Sequence, residues 1–297
     1  MIDSIINCKN IKEADVIVLS AGYGQSFTYR GGAENGPSEI VKCLHGNLEF
    51  FDRFTMNEPI QFLKIYHHEL KNINNVSSEE MVKQISDFNL KYKDKFIIML
   101  GGSHSVSNGA FSYFEKYKDP TNITILQIDA HPDLRENTFD FKDTSDKFDH
   151  ACVMRRACEM SFQTVQVGIR TYSIYERKFI VKNNLKIFEW GKKKIPSINE
   201  IIKSIKTKDV YLTLDVDGLD PSHTPATGTP VPGGLEWTYT QRLLRKLILS
   251  KNLIGADIVE VSPFKHDVLT QYAAANLCYN IMSYKIMKDK KMLTFFE

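Results

Sequence analysis

Eight short runs rich in Val, Ile and Leu alternate along this chain with longer segments of helical periodicity, and this alternation limits the possible folds more than any other feature. Most of the runs lack polar alternation, which is typical of strands buried on both faces of a parallel sheet. We predict strands at 15–20, 60–66, 96–100, 123–128, 164–167, 185–188, 210–214 and 253–259.

Helical segments separate these runs. A capping box of Ser77 and Glu80 predicts a helix that ends near Lys91. We predict further helices at 105–117, 149–160, 174–183, 198–205, 240–249 and 268–287. The alternation indicates a doubly wound, three-layer α/β/α fold with a central, mostly parallel β-sheet. Because no repeat or low-complexity linker interrupts the pattern, we predict a single α/β domain over residues 1–297.

In such a sheet, ligands bind beyond the carboxyl ends of the strands, so chemically active side chains should directly follow the apolar runs. Four runs meet this expectation. They are FIIMLGGSHS with His104, ITILQIDAHPD with Asp129, His131 and Asp133, VYLTLDVDGLDP with Asp215 and Asp217, and LIGADIVEVSP with Glu260.

The spacing of these groups favours a metal site. Alternate side chains of an extended segment point the same way, so Asp129, His131 and Asp133 are expected to share one side, as are Asp215 and Asp217. A lone aspartate after a strand is usually a cap, but four carboxylates and two imidazoles together would repel unless cations neutralise them. Two metals held by shared carboxylates can activate a water molecule. A donor set rich in oxygen, with imidazole and no thiolate, favours Mn²⁺ over structural Zn²⁺.

Composition excludes several classes of protein. Lys and Arg number 38 and Asp and Glu 36, so neither the balance nor any basic run predicts nucleic-acid binding. No stretch reaches the roughly 18 apolar residues of a membrane span, and we expect no secretory signal. The five cysteines are scattered without a CxxC motif, which is typical of reduced thiols in a cytoplasmic protein.

The motifs GGSHS, DAHPD and DVDGLDP, in that order, resemble those of the ureohydrolase family, which comprises arginases, agmatinases and their relatives. The resemblance extends to VGIRTYS, ATGTPVPGGL, EVSP and the early segment TYRGGAENGPSEI. The segments VGIRTYS and FDHACVMRR are most similar to the corresponding segments of agmatinases. The resemblance therefore implies an arginase/deacetylase-like fold, a homotrimer or homohexamer, and hydrolysis of a guanidino group to urea and an amine with two Mn²⁺ per subunit.

The resemblance also implies a role for individual residues. One metal would be bound by His104, Asp129, Asp133 and Asp215, and the other by His131, Asp129, Asp215 and Asp217. Asp133 would also orient the attacking hydroxide, Glu260 would hold the substrate guanidinium, and His150 would transfer a proton to the leaving amine.

One departure from the family pattern concerns Ser103, which stands where the family often has an acid. Because this position is not a direct ligand, the metal site should survive the change. We expect His223 and His266 to lie at the surface or behind the site, and Arg135 and Arg170 to form structural salt bridges. Tyr172 and Trp237 are rim candidates because of their loops.

We expect agmatine as the small-molecule guanidino substrate, with guanidinobutyrate, guanidinopropionate and arginine as competitors. Between the metal-binding motif and His150, the acidic residues Glu136, Asp140, Asp143, Asp146 and Asp149 either receive a second substrate cation or are solvated loop charges. Two other classes stay open: a non-catalytic, metal-binding regulatory homologue, and an amide hydrolase of the same fold, although paired motifs favour two metals over that class's one.

Overall fold

The computed structural model describes residues 4–138, 146–192 and 194–296. In these residues, eight strands form one sheet in the order β2-β1-β3-β8-β7-β4-β5-β6, and each pairing between neighbouring strands is parallel. The strands are β1 (Val16–Ala21), β2 (Ile65–Glu69), β3 (Phe96–Gly101), β4 (Ile123–Ile128), β5 (Gln163–Ile169), β6 (Lys186–Glu189), β7 (Asp209–Asp215) and β8 (Asn252–Val259).

Eight α-helices of the described ranges cover the two faces of this sheet. They are α1 (Gly36–Leu44), α2 (Ser78–Lys91), α3 (Ser107–Tyr117), α4 (Val153–Glu159), α5 (Ile174–Asn183), α6 (Ile198–Ser204), α7 (Trp237–Ser250) and α8 (Leu269–Asp289). None of them combines the length and the apolar character needed to cross a bilayer.

Side chains along each strand alternate between the two faces, as the geometry of extended chains requires. On β3, Ile98 and Leu100 pack in a hydrophobic cluster with α1, α6, α7 and α8, whereas Ile97 and Met99 pack against α2. A third cluster joins α3, α4 and α5 to Ile125 of β4. The predicted three-layer α/β/α fold is therefore confirmed, and both faces of the sheet are covered.

The strand order reverses at the middle of the sheet, where β3, β8, β7 and β4 lie side by side. Leu100 pairs with Ile258, Asp215 with Val259, and Ile128 with Leu214, so the carboxyl ends of these four strands lie level. Such a reversal leaves a crevice at the carboxyl edge, which is where open α/β sheets bind ligands.

Two elements differ from the sequence prediction. The second strand is β2, whereas we predicted 60–66; Pro59–Gln61 forms a 3₁₀ turn instead. Within the described residues β2 pairs with β1 alone, so it is an edge strand, where the polar residues His67 and His68 are tolerated. These polar residues hide the apolar pattern by which the other strands were predicted. Helix α1 was not predicted, because its Gly-Pro start reads as a loop, although proline is well suited to the first turn of a helix.

Candidate metal centre

Two groups of potential metal ligands meet at the crevice. His104, Asp129 and Asp133 form the first group and Asp129, His131 and Asp217 the second, with the ligand atoms of each group within 4.8 Å of one another. Asp129 belongs to both groups, so its two oxygens face two neighbouring positions. Asp215 approaches the first group, with Oδ2 lying 3.5 Å from Nδ1 of His104.

The ends of the strands place these ligands side by side in the structure. Asp129 directly follows β4, Asp215 ends β7, and a 3₁₀ turn at Val216–Gly218 brings Asp217 beside them. Gly218 allows the close packing of the two loops, because a Cβ atom there would lie 2.6 Å from the backbone nitrogen of Asp129. Asp133 has a φ of 49°, a left-handed backbone conformation that turns the chain after the motif.

His104 provides a test of whether a cation fits. Its Nδ1 atom lies 3.2 Å from Asp129 Oδ2 and 3.0 Å from Asp133 Oδ2. The atom is fully buried, yet it makes no hydrogen bond in good geometry with the described residues. Its Nε2 lies 2.7 Å from Oγ1 of Thr213, whose hydroxyl donates to Asp257 at 2.6 Å, so Nε2 is the donor in the neutral ring. Nδ1 then offers a lone pair among carboxylates, as a metal ligand does.

His131 repeats the arrangement at the second position. Its Nδ1 lies 3.0 Å from Asp217 Oδ2 and 3.5 Å from Asp129 Oδ1. The remaining oxygen of Asp217 accepts a hydrogen bond from the backbone of Ala130 at 3.0 Å, which fixes the carboxylate. A donor set of carboxylates and one imidazole per position fits an oxygen-preferring divalent cation such as Mn²⁺.

Burial and mutual charge shift the pKa values of the groups in this cluster. Burial opposes the protonation of His104, but the carboxylates of Asp129, Asp133 and Asp215 outweigh it, and the pKa of His104 is raised well above its ordinary value. Burial, and then the charge of Asp129, raise the pKa of Asp133 to about 7. The pKa of Asp215 is likewise raised, by burial and then by Asp217. Bound cations would displace these protons.

The sequence prediction missed a buried amide pair beneath the ligands. Gln127 donates from Nε2 to Asp129 Oδ2 at 2.7 Å and to Asp133 Oδ2 at 3.3 Å. Gln166, its partner on β5, donates to Oε1 of Gln127 and to the carbonyl of Pro132. The missed signal was a polar residue inside an apolar run, which also marks Thr213 and Asp257, because buried polar groups need partners.

Arg170 has a structural role different from the predicted salt bridge. Its guanidinium donates to the carbonyls of Asp217 at 2.6 Å, Gly218 at 3.2 Å and Val231 at 2.6 Å, rather than to a carboxylate. These bonds hold the beginning of the connection between β7 and α7 against its later part at Val231. Burial lowers the pKa of Arg170 from its ordinary value, and nearby aspartates oppose this effect.

The metal ligands open into a cavity of about 350 Å³, a volume typical of small-molecule sites. Glu260 and His150 line it, as do Thr28, Arg135, Thr171, Tyr172, Glu176 and Thr229. Glu260 has a φ of 64°, and its Oε1 accepts a hydrogen bond from the backbone of His104 at 2.7 Å. Burial raises the pKa of Glu260 above its ordinary value, and the charge of His150 acts against this rise.

Other candidate residues have local roles. Ser103 caps the 3₁₀ turn that contains His104 by accepting a hydrogen bond from Ser105, so the departure at this position leaves a capped turn. His223 and Trp237 line a separate cavity between α7 and α8, and His266 is exposed.

The described acidic residues of the loop before α4 also have local contacts. Asp146 accepts from Ser78, and Asp149 caps the turn at His150. Asp140 and Asp143 lie outside the described residues.

Comparisons with known proteins identify the family to which this chain belongs. Residues 14–283 match the model of the arginase family. The N(1)-aminopropylagmatine ureohydrolase of Synechocystis is 32% identical over 95% of this chain and 92% of its own length, and the agmatinase of Bacillus cereus is 28% identical over 90% of each. The agmatine ureohydrolase of Thermoplasma volcanium superimposes with a TM-score of 0.84 and 26% identity over 99% of this chain and 97% of its own. The chain belongs to the arginase family of ureohydrolases, and its relatives there include agmatinases and N(1)-aminopropylagmatine ureohydrolases.

Proposed function

We propose that this protein hydrolyses the guanidino group of agmatine to give putrescine and urea, with two Mn²⁺ held by His104, Asp129, His131, Asp133, Asp215 and Asp217. The observation that carries the proposal is the pair of ligand groups that share Asp129 at the strand reversal. Two bound divalent cations lower the pKa of a water molecule between them and so supply a nucleophile near neutral pH.

Glu260 is the group that would bind the substrate cation. The hydrogen bond from His104 fixes its Oε1, while its Oε2 accepts no hydrogen bond from the described residues. A guanidinium is planar, always charged and rich in N–H donors, so a carboxylate orients it through charge-assisted hydrogen bonds. Glu260 would thereby place the guanidino carbon close to the ligand cluster, which contributes to rate through proximity.

Asp133 and His150 would handle the protons. With the metals bound, the carboxylate of Asp133 would accept a hydrogen bond from the attacking water and so orient it. The amine of the tetrahedral intermediate leaves only after protonation. His150 lines the same cavity, and an imidazole that titrates near neutrality is suited to deliver that proton.

A second candidate substrate is N(1)-aminopropylagmatine. The Synechocystis ureohydrolase named for this compound is 32% identical to the chain, and two Thermus thermophilus proteins of the same name are 29% and 28% identical. Both compounds present a guanidinobutyl group, so the same reacting end would reach the cluster. N(1)-aminopropylagmatine differs from agmatine by an aminopropyl arm on its amine. The choice between the two substrates therefore depends on whether the outer cavity accommodates this arm.

The test is urea release from the Mn²⁺-loaded protein with agmatine, N(1)-aminopropylagmatine, guanidinobutyrate, guanidinopropionate and arginine. We expect the highest kcat/KM for one of the first two compounds, and a preference for arginine would overturn the assignment. Metal analysis should give two Mn²⁺ per chain. Two metals without turnover of any of these compounds would instead favour a regulatory homologue.

We also propose that the protein assembles as a homotrimer or homohexamer, as the family resemblance implies. Light scattering coupled to size-exclusion chromatography would measure the mass directly. A monomeric mass at micromolar concentration would contradict the proposal.

A further inference from the structure

Both ring nitrogens of His150 contact hydrogen-bonding side chains. Nδ1 lies 2.6 Å from Oγ of Ser26 and 2.9 Å from Oδ1 of Asp149, and Nε2 lies 2.8 Å from Oγ1 of Thr28. Ser26 also donates from Oγ to Oδ2 of Asp149 at 2.6 Å. The backbone nitrogen of His150 donates to the same Oγ at 3.0 Å. The ring is therefore enclosed by a loop from β1 on one side and by its own preceding residue on the other.

These contacts determine which nitrogen carries the proton. A serine hydroxyl has one hydrogen, and at Ser26 that hydrogen is directed to Asp149. The oxygens of Ser26 and Asp149 that face Nδ1 are then both acceptors, so Nδ1 must be the donor. In the neutral imidazole the lone pair consequently lies on Nε2. The hydroxyl of Thr28 can donate to this lone pair, or accept from Nε2 once that atom is protonated.

We propose that Asp149 and Ser26 are positioning residues that keep a proton on Nδ1 of His150 and so assign proton transfer to Nε2. The inference rests on the proposed function, in which His150 protonates the leaving amine. The step is balanced: the Nε2–H bond breaks as the N–H bond of the departing amine forms, the C–N bond breaks with its electron pair going to that amine, and Nε2 keeps its lone pair. The carboxylate of Asp149 stabilises the cationic ring before the transfer, and afterwards it still accepts the Nδ1–H of the neutral ring.

The charges around His150 favour this assignment. Burial alone would lower the pKa of the imidazole, but contact with Asp149, followed by the charges of Glu260 at the end of β8 and Asp133 after β4, raises it above its ordinary value. Two further titratable groups face Asp149. Burial, and then the charges of Asp146, Glu79 and Asp149, raise the pKa of Tyr23 to about 12. Burial, and then the charge of Asp149, raise the pKa of the Cys152 thiol well above its ordinary value. Both groups are therefore neutral at working pH.

The decisive variant is Asp149→Asn. Asparagine is as good an N-cap as aspartate, so the turn at His150 keeps its cap while the ring loses its negative neighbour. A general acid works only when protonated, and removal of the carboxylate lowers the pKa of His150. We expect the alkaline limb of the kcat–pH profile with agmatine, or with the best substrate of the panel, to move to lower pH by about one unit. At pH 9, on the falling limb, kcat should drop by up to about 10-fold, the factor that a shift of one pKa unit produces.

Asp146→Asn is the matched control, because it removes a carboxylate from the same loop that does not contact His150. Its alkaline limb should coincide with that of the unmodified protein. Ser26→Ala tests the second positioning residue, and we expect a lower kcat with KM nearly unchanged, and recovery in Ser26→Thr. Thermal unfolding of each variant separates loss of fold from loss of positioning.

An unchanged alkaline limb in a folded, active Asp149→Asn protein would overturn the inference, as would full activity of Ser26→Ala at every pH. Should Asp149→Asn fail to fold, the Ser26→Ala and Ser26→Thr pair decides the matter alone. Failure of the proposed function has a different signature, since the unmodified protein would then release no urea from any guanidino compound.

Discussion

Nε2 of His104 lies 2.7 Å from Oγ1 of Thr213, and this contact connects a metal-ligand candidate to the buried carboxylate of Asp257. Tyr211 donates to the other oxygen of that carboxylate at 2.8 Å, so Asp257 is satisfied although it is completely buried. Partners of this kind fix the tautomer and the orientation of a metal-binding histidine. The contact makes the metal affinity of His104 depend on two residues of β7 and β8 that would not touch the metal.

We predict that Thr213→Val weakens Mn²⁺ binding by about 10- to 100-fold, because valine keeps the shape but leaves Nε2 without an acceptor. Competition with a fluorescent chelator would measure the change. Thr124→Val is the control, since Thr124 is an equally buried threonine whose hydroxyl contacts Thr207 instead. Equal Mn²⁺ affinity in both variants would contradict the prediction.

We predict that the stabilisation conferred by Mn²⁺ grows as the pH rises from 6 to 8.5. In the metal-free protein the pKa of Asp133 is about 7, far above the roughly 3.9 of an unfolded aspartate. The protonated form therefore stabilises the fold at low pH, and this contribution is lost as the pH rises through 7. His104, His131 and Asp215 have pKa values raised in the same direction and add to the effect.

Bound Mn²⁺ replaces these protons, so the Tm difference between metal-saturated and metal-free protein should widen with pH. Differential scanning calorimetry at several pH values measures it. A Tm difference that stays constant or narrows with rising pH would show that the cluster does not exchange protons for cations.

We predict that Glu260→Gln lowers kcat/KM by at least about 100-fold while two Mn²⁺ remain bound. The variant keeps the size of the side chain, but the neutral amide cannot balance a guanidinium charge, and charge-assisted hydrogen bonds are about twice as strong as neutral ones. Steady-state kinetics and metal analysis separate the two effects. Glu115→Gln, at an exposed position of α3 outside the cavity, should leave kcat/KM unchanged. Loss of the metals from Glu260→Gln would instead assign Glu260 to the metal site.

We predict that Arg170→Met destabilises the protein by about 2–4 kcal/mol, because it leaves the carbonyls that hold the connection between β7 and α7 together without their donor. Urea denaturation would measure the free energy of unfolding. Arg242→Met is a suitable comparison, since Arg242 is exposed on α7 and its loss should cost less than about 1 kcal/mol. Similar losses in the two variants would argue against a special role for Arg170.

Much of the fold was predictable from local pattern. Seven of the eight apolar runs correspond to strands of the described residues. The predicted helix at 174–183 has the observed bounds, because its Ser173–Glu176 capping box fixes the start. The edge strand β2 and the helix α1 were less accessible. Strand β2 tolerates polar side chains because it is paired along one edge. Helix α1 begins with Gly and Pro, which also form loops.

The sequence by itself determined the ligand types, their order along the chain and their attachment to strand ends, because the spacing of DAHPD and DVDGLDP is a local property. Only the tertiary structure decided which polar groups support them. Thr213, Asp257 and Ser26 are ordinary residues in their own segments, and they matter because the strand order brings separate segments together. Hydrogen bonds between residues more than one hundred positions apart depend on that order, and local sequence does not encode it.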